Sequence, residues 1–214
     1  MPEMPLAPAG SKVFIVDDDA GVRAAIADLL QSASLESETF ATPAEFLGRQ
    51  PADGPSCIVL DLRLPEMTGL DVQRALAEAG IATPIIFISA FADIPSTVKA
   101  MKSGAVEFLT KPFGDRELLE AIYRALERDQ AARDQQHELS TLRDRYGRLT
   151  PRERQVMALV VSGRLNKQIA ADLGTSEITV KIHRRRVMTK MQAESLAELV
   201  RLTASLEPLR HTKR

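Results

Sequence analysis

Three successive carboxylates (Asp17, Asp18, Asp19), a fourth at Asp61, a hydroxyl at Ser89 and an ammonium at Lys111 all stand at or just beyond the end of a short apolar run. Carboxylates crowded together repel one another unless a hard divalent cation sits among them, and oxygen ligands of this kind suit Mg²⁺. The same positive charge would offset an incoming phosphoryl group and leave one carboxylate free to attack phosphorus as a nucleophile. A neighbouring hydroxyl and ammonium would then hold the transferred phosphate. Taken singly these signals are weak. An acidic residue after a strand often only caps the next helix, a role open to Asp19, and Lys-Pro pairs are common.

The chemistry requires these places to meet, which is a demand on the elements between them. Residues 13–16, 57–60, 85–88 and 106–109 have the composition of buried parallel strands, with a further strand near 37–40. Val22, Ile26, Leu29 and Leu30 recur at helical spacing, as do Val72, Leu76 and Ala79, then Val98, Met101 and Lys102, then Leu118, Leu119, Ile122 and Leu126. Five strands alternating with five helices predict an α/β doubly wound, five-stranded parallel sheet. Such sheets gather their functional groups at the carboxyl ends of the strands, which brings Asp17, Asp61, Ser89 and Lys111 to one edge.

Beyond residue 126 the pattern changes. Residues 127–148 are polar and helix-favouring, so the preceding helix is expected to continue into a linker, where Leu139, Leu142 and Tyr146 offer a short seam for a partner helix. After Thr150 the periodicity is wholly helical, over 153–162, 166–173, 177–191 and 196–206. Thr150-Pro151 and Ser176 are N-cap signals, and Gly163 and Gly174 stand where helices stop. Residues 166–173, a Gly-containing turn and 177–191 make a helix-turn-helix. On its second helix Ile178, Ile182, Val187 and Met191 are expected inward, leaving Lys181, Arg184, Arg185 and Lys190 largely outward.

Charge divides the chain at the same place. Residues 1–126 carry net −8, residues 127–149 balance, and residues 150–214 carry net +7. An acidic part joined to a basic one suggests that the second meets a polyanion. The single cysteine, Cys57, cannot cross-link the fold and suits a reducing compartment. No apolar run approaches the 18 or so residues of a membrane span, and the start lacks the pattern of a secretory signal. A soluble, cytoplasmic protein without a membrane partner is therefore expected.

The first part resembles the receiver domain of two-component response regulators in Val16-Asp17-Asp18-Asp19, Val59-Leu60-Asp61-Leu62-Arg63-Leu64-Pro65 through Gly69, Ile88-Ser89-Ala90 and Lys111-Pro112-Phe113. The resemblance implies that Asp61 is the phosphoacceptor, that Asp17 and Asp18 form an acidic pair, and that Asp18 and Asp61 bind Mg²⁺ with the Arg63 backbone carbonyl. It further implies that Ser89 bonds the phosphate, that Lys111 pairs with it across a cis Lys111-Pro112 bond, and that Ser89 and Phe108 act as the switch. Asp17 and Asp19 also formally match the Asp-x-Asp of haloacid-dehalogenase-type phosphohydrolases. Those enzymes follow the pair with Thr or Val where this chain has Gly21, and they leave Asp61 and Lys111 unexplained.

The second part resembles the LuxR-type four-helix DNA-binding domain in residues 149–156, Asn166-Lys167-Gln168-Ile169-Ala170 and Thr179-Val180-Lys181-Ile182-His183. By that resemblance Lys181, Ile182 and Arg185 probe bases, whereas Lys167, Thr179 and His183 contact phosphates. No Cys or His neighbour supports His183 as a metal ligand. Together the two resemblances imply the NarL/FixJ class of response regulators: a receiver at 11–126, a helical linker at 127–148 and an all-α four-helix helix-turn-helix domain at 149–210. The implied function is a transcription regulator rather than a dedicated enzyme. Its implied partners are a sensor histidine kinase, promoter DNA, a second copy on phosphorylation, and RNA polymerase. The rival is a phosphorylation-independent DNA-binding protein that uses its receiver only for protein contacts.

Overall fold

A computed structural model of the chain describes residues 6–90 and 94–206. The chain divides into two compact units, with the boundary in the sequence between Arg133 and Asp134. In the first, β1 (Lys12–Val16), β2 (Glu36–Phe40), β3 (Ser56–Asp61), β4 (Ile85–Ser89) and β5 (Glu107–Thr110) make one parallel sheet in the order β2-β1-β3-β4-β5. The strands alternate with α1 (Ala20–Ser32), α2 (Pro43–Leu47), α3 (Gly69–Glu78), α4 (Ile94–Lys102) and α5 (Asp115–Gly147). The strand order reverses between β1 and β3, so the helices that follow them leave on opposite faces and open a crevice at their carboxyl ends.

Two-residue periodicity divides the core. Val13, Ile15, Cys57, Val59, Ile86 and Ile88 face one layer with Ile26 and Leu30 of α1 and Leu118, Ile122 and Leu126 of α5. Phe14, Val16, Ile58, Leu60 and Phe87 face the other, with Phe46 of α2, Val72 and Leu76 of α3 and Ala100 of α4. Because both faces are covered, the central strands are continuous apolar runs rather than alternating ones.

Three local expectations change. Helix α2, whose residues the apolar periodicity does not mark, has only five residues; Thr42 caps it and Pro43 starts it. Strand β5 begins one residue later than read. Helix α4 does not bury Val98 and Met101, which with Ile94 remain exposed, and it seats itself through Ala100 instead. A small residue allows the helix to lie close to the sheet.

The long α5 serves both units. Leu118, Ala121, Ile122, Ala125 and Leu126 bury one face of its first half. Asp129, itself buried, then accepts from the Ser56 N–H (2.8 Å) and from Arg133 Nε (2.7 Å). From Asp134 the helix belongs to the second unit, where Leu142 is buried with Tyr146 packed beside it in that unit's own core. The expected seam is thus used within the unit, with Leu139 left half-buried.

The second unit adds α6 (Pro151–Val161), α7 (Asn166–Asp172), α8 (Glu177–Met191) and α9 (Leu196–Leu206). Val156, Met157, Val160, Ile169, Val180, Val187, Met191 and Leu199 are its central buried residues. Thr150 and Glu153 form a reciprocal capping box at the start of α6, and Ser176 caps α8. Gly163 and Gly174, at positive φ, end α6 and α7. Residues 207–210, read with this domain, lie outside the described residues.

Candidate functional site

The turn from β1 into α1 separates the roles of three adjacent carboxylates. Asp19 is the N-cap of α1: it accepts from the N–H groups of Gly21 (2.7 Å) and Val22 (3.2 Å), and these bonds hold its carboxyl below the usual range. Asp17 is wholly buried and accepts from the Asp19 N–H (2.9 Å), while Arg23 Nη1 donates to the Asp17 carbonyl (2.7 Å). Asp18, between them, is exposed.

Asp61 ends β3 and is nearly buried; the Arg63 N–H donates to its Oδ1 (2.8 Å). Lys111 Nζ reaches both acids, 2.6 Å from Asp17 Oδ2 and 2.5 Å from Asp61 Oδ2. Its own N–H donates to the Ser89 carbonyl (2.8 Å), and Lys111-Pro112 is cis. Burial pushes the Asp17 carboxyl up, and the Lys111 bond and the Asp19 N–H only partly oppose it. Burial pulls the Lys111 ammonium down, but its bonds to Asp17 and Asp61 outweigh that and hold it above the usual lysine value.

Gly69 fixes the other side of Asp61. A Cβ built at Gly69 would lie 2.6 Å from the Asp61 carbonyl oxygen and 2.9 Å from the Phe87 ring, so only glycine permits this approach. Sequence reasoning singled out neither Arg23 nor the packing role of Gly69. The first is one basic residue among many, and the second depends on a contact that the linear sequence does not contain.

Asp17, Asp18 and Asp61 each offer a carboxylate oxygen, all within 4.8 Å of one another. An octahedral ion at about 2.1 Å from its ligands sets neighbouring oxygens about 3 Å apart and opposite ones about 4.2 Å apart. The 4.8 Å limit is close to that span, so the three carboxylates could hold one small divalent cation such as Mg²⁺ after a small inward adjustment. They outnumber the Lys111 charge by two, which a divalent cation balances. Ser89 is buried at the end of β4, paired in register with Thr110. Phe108, half-buried in β5, has its ring centroid 6.4 Å from that of Phe87 on the strand beside it.

In the second unit α7, the Gly174 turn and α8 form the expected helix-turn-helix, but α8 is turned differently from its apolar pattern. Val180, Val187 and Met191 are buried, whereas Ile178 and Ile182 are 71% and 48% exposed. The apolar spacing predicts Ile178, Ile182, Val187 and Met191 inward, and the fold buries only the last two. Positions 180 and 187 lie two turns apart on one side of the helix, and 178 and 182 lie opposite, so the core can take only one set. Lys181 and Arg185 are exposed beside Ile182, as is Arg186, which sequence reasoning did not single out.

Arg184 is half-buried and donates to Asn166 Oδ1 (3.2 Å). Lys190, expected largely outward, bonds the buried Glu153 (2.7 Å) and the Arg148 carbonyl (3.2 Å), so it braces the fold. Lys167 is exposed at the start of α7. Thr179 and His183 are half-buried, and Thr179 bonds the Ser176 hydroxyl (2.9 Å).

The acidic crevice at one sheet edge and the basic helix-turn-helix thus lie in separate units of the chain. Residues 13–123 match the response regulator receiver domain family, and residues 148–203 match the luxR family of bacterial regulatory proteins. The chain is 50% identical over 194 residues to nodulation protein W of Bradyrhizobium diazoefficiens, covering 91% of this chain and 86% of that one. It is 46% identical to response regulator protein TodT of Pseudomonas putida over 197 residues, 92% of this chain and 87% of the other. The solved structure of response regulator StyR superposes with a TM-score of 0.85 at 44% identity, over 92% of this chain and 99% of that one. The chain belongs to the two-component response regulators of the NarL/FixJ class, with a receiver domain and a LuxR-type DNA-binding domain. No described helix is long and apolar enough to cross a membrane.

Proposed function

We propose that a sensor histidine kinase phosphorylates this regulator on Asp61 and that the modification controls its binding to promoter DNA in the cytoplasm. The observation that carries this reading is the position of Asp61, beside two further carboxylates and within 2.5 Å of Lys111. An Asp61 carboxylate oxygen attacks the phosphorus of a phosphohistidine; the new O–P bond forms as the N–P bond breaks, and the electron pair stays on the imidazole nitrogen. Asp17, Asp18, Asp61 and the Arg63 carbonyl are the residues that would hold Mg²⁺, which supplies the charge that offsets carboxylate and phosphoryl repulsion. Lys111 then pairs with the phosphoryl group and the Ser89 hydroxyl bonds it. A groove of about 490 Å³ lined by Val22, Ala25, Leu29, Pro112 and Phe113 opens beside Lys111, within reach of the site, and gives the kinase an apolar surface to dock on.

Ser89 and Phe108 form the switch between Asp61 and the face made by α4, β5 and α5. Exposed Ile94, Val98 and Met101 lie along one side of α4 and support dimerisation of two receivers there. Paired LuxR-type domains then bind half-sites about one DNA turn apart, or a multiple of it. Lys181, Ile182 and Arg185 read bases, Lys167, Thr179 and His183 contact phosphates, and the bound dimer acts on RNA polymerase. The receiver spans 11–126, the linker 127–148 and the DNA-binding domain 149–210. The chemistry at Asp61 serves regulation and is not that of a dedicated enzyme.

Treatment with a small phosphodonor and Mg²⁺ should add one phosphoryl group, located on Asp61 by mass spectrometry, and raise affinity for target DNA. Equal labelling of an Asp61→Asn variant would refute the assignment. DNA affinity indifferent to labelling would favour a phosphorylation-independent regulator.

A further inference from the structure

Among the described residues, Ile178 belongs neither to the buried core of the second unit nor to the half-buried apolar residues packed on it. It stands in the first turn of α8 at 71% exposure, and one turn later Ile182 is 48% exposed. Both lie opposite the buried Val180 and Val187, at the centre of the outward face, flanked by the exposed Lys181 and Arg185. Packing does not account for the residue. Nor does helix formation, because a β-branched side chain in a first turn is a poorer helix former than alanine or lysine.

We propose that Ile178 is a specificity-determining residue of the DNA-binding face and that, together with Ile182, it reads the C5-methyl groups of thymines. The inference rests on the reading of α8 as the helix that enters the major groove. The N-terminal residues of such a helix meet base edges. The apolar feature that base pairs present in that groove is the thymine methyl, while guanine offers O6 and N7 to Lys or Arg. The alternation of Ile178, Lys181, Ile182 and Arg185 therefore matches a half-site in which thymines adjoin the guanines bonded by the cations. Burying an isoleucine against a methyl removes from water two apolar surfaces that are both exposed when apart.

The test uses the full-length protein, treated with phosphodonor, and the tightest-binding duplex that it recovers from a random-sequence DNA pool. Each thymine is replaced in turn by deoxyuridine, which lacks only the methyl group. Wild-type affinity should fall about fourfold for each methyl that is contacted, at one or two positions per half-site. Ile178→Ala should bind the thymine duplex about fourfold more weakly and no longer distinguish thymine from uracil at one of these positions. Ile182→Ala should do the same at another.

Unchanged wild-type affinity for every deoxyuridine duplex, or full discrimination retained by Ile178→Ala, overturns the proposal. If Arg185→Ala still weakens selection in that case, α8 remains the reading helix and only the methyl contact falls. If Lys181→Ala and Arg185→Ala leave selection untouched, the reading of α8 fails and takes this inference with it.

Discussion

Lys111 holds its ammonium 2.5 Å from the Asp61 carboxylate, a residue 50 positions earlier in the chain. The same ammonium meets Asp17 at 2.6 Å, so a single cation joins the ends of β1 and β3 to the segment after β5. On the proposed reading, a phosphoryl group on Asp61 would bring new negative charge within reach of that cation, which in the structure ties the two acids together.

Removing the cation leaves two largely buried carboxylates facing each other. Lys111→Ala should destabilise the receiver unit by up to about 3 kcal/mol in the absence of divalent ions. Excess Mg²⁺ should recover more stability in the variant than in the wild type, since it replaces the missing charge. Thermal unfolding with chelator and with Mg²⁺ measures both. Equal midpoints for the two proteins in chelator would contradict the structural role.

Gly69→Ala tests the backbone approach to Asp61. The added methyl must displace the Asp61 carbonyl or the Phe87 ring, at a cost of about 1 to 3 kcal/mol. Phosphoryl incorporation on Asp61 should slow as well. Gly114→Ala, whose added methyl meets nothing within 4 Å, should change neither the unfolding curve nor the labelling rate.

Base readers and phosphate contacts should separate in binding assays. Lys181→Ala and Arg185→Ala should relax preference at particular base pairs by about 1 to 3 kcal/mol each. Lys167→Ala should weaken all sequences alike and lessen the salt dependence. Competition between matched and mismatched duplexes at several salt concentrations distinguishes the patterns, and a uniform loss from all three variants would contradict the assignment.

The Glu153–Lys190 pair predicts an acid dependence of the second unit. Burial pushes the Glu153 carboxyl up, but hydrogen bonds from Lys190 and from the Thr150 backbone and hydroxyl outweigh it and hold the pKa below the usual glutamate value. A carboxyl whose folded pKa is depressed stabilises the fold above its unfolded pKa of about 4.3 and loses that contribution as pH falls through the lower folded value. Glu153→Gln should therefore cost roughly 1 to 2 kcal/mol at neutral pH. The gap should close progressively below about pH 4.3. Denaturant unfolding of both proteins from pH 7 to pH 3 measures this, and a gap that stays constant with pH would rule out the charged pair as its source.

The turn chemistry around α6 and α8 was legible in order, because capping is local: Thr150 bonds a residue three positions on, and so does Ser176. The apolar strands were legible because both sheet faces are covered, which makes each run continuous. Helix α2 was not, since five residues are too few to establish a period. The first turns of α8 go against their pattern, because Ile178 and Ile182 have the spacing of a buried stripe and only the position of α6 and α7 selects Val180 instead, while Val187 and Met191 are buried as their spacing predicts.

By itself the sequence determined the order of elements, the division into an acidic and a basic part, and the residues at the strand ends, because periodicity, capping and charge act through near neighbours in the chain. The tertiary structure decided which of those residues meet. It committed Asp19 to a helix cap and left Asp17, Asp18 and Asp61 close enough to share one ion. It also turned Lys190 inward to Glu153 and Ile178 outward to solvent. Those choices depend on contacts between segments far apart in the chain, and burial makes them unequal in energy: an apolar side chain gains most where several helices converge, and a charge is tolerated inside only where a partner from elsewhere in the fold reaches it.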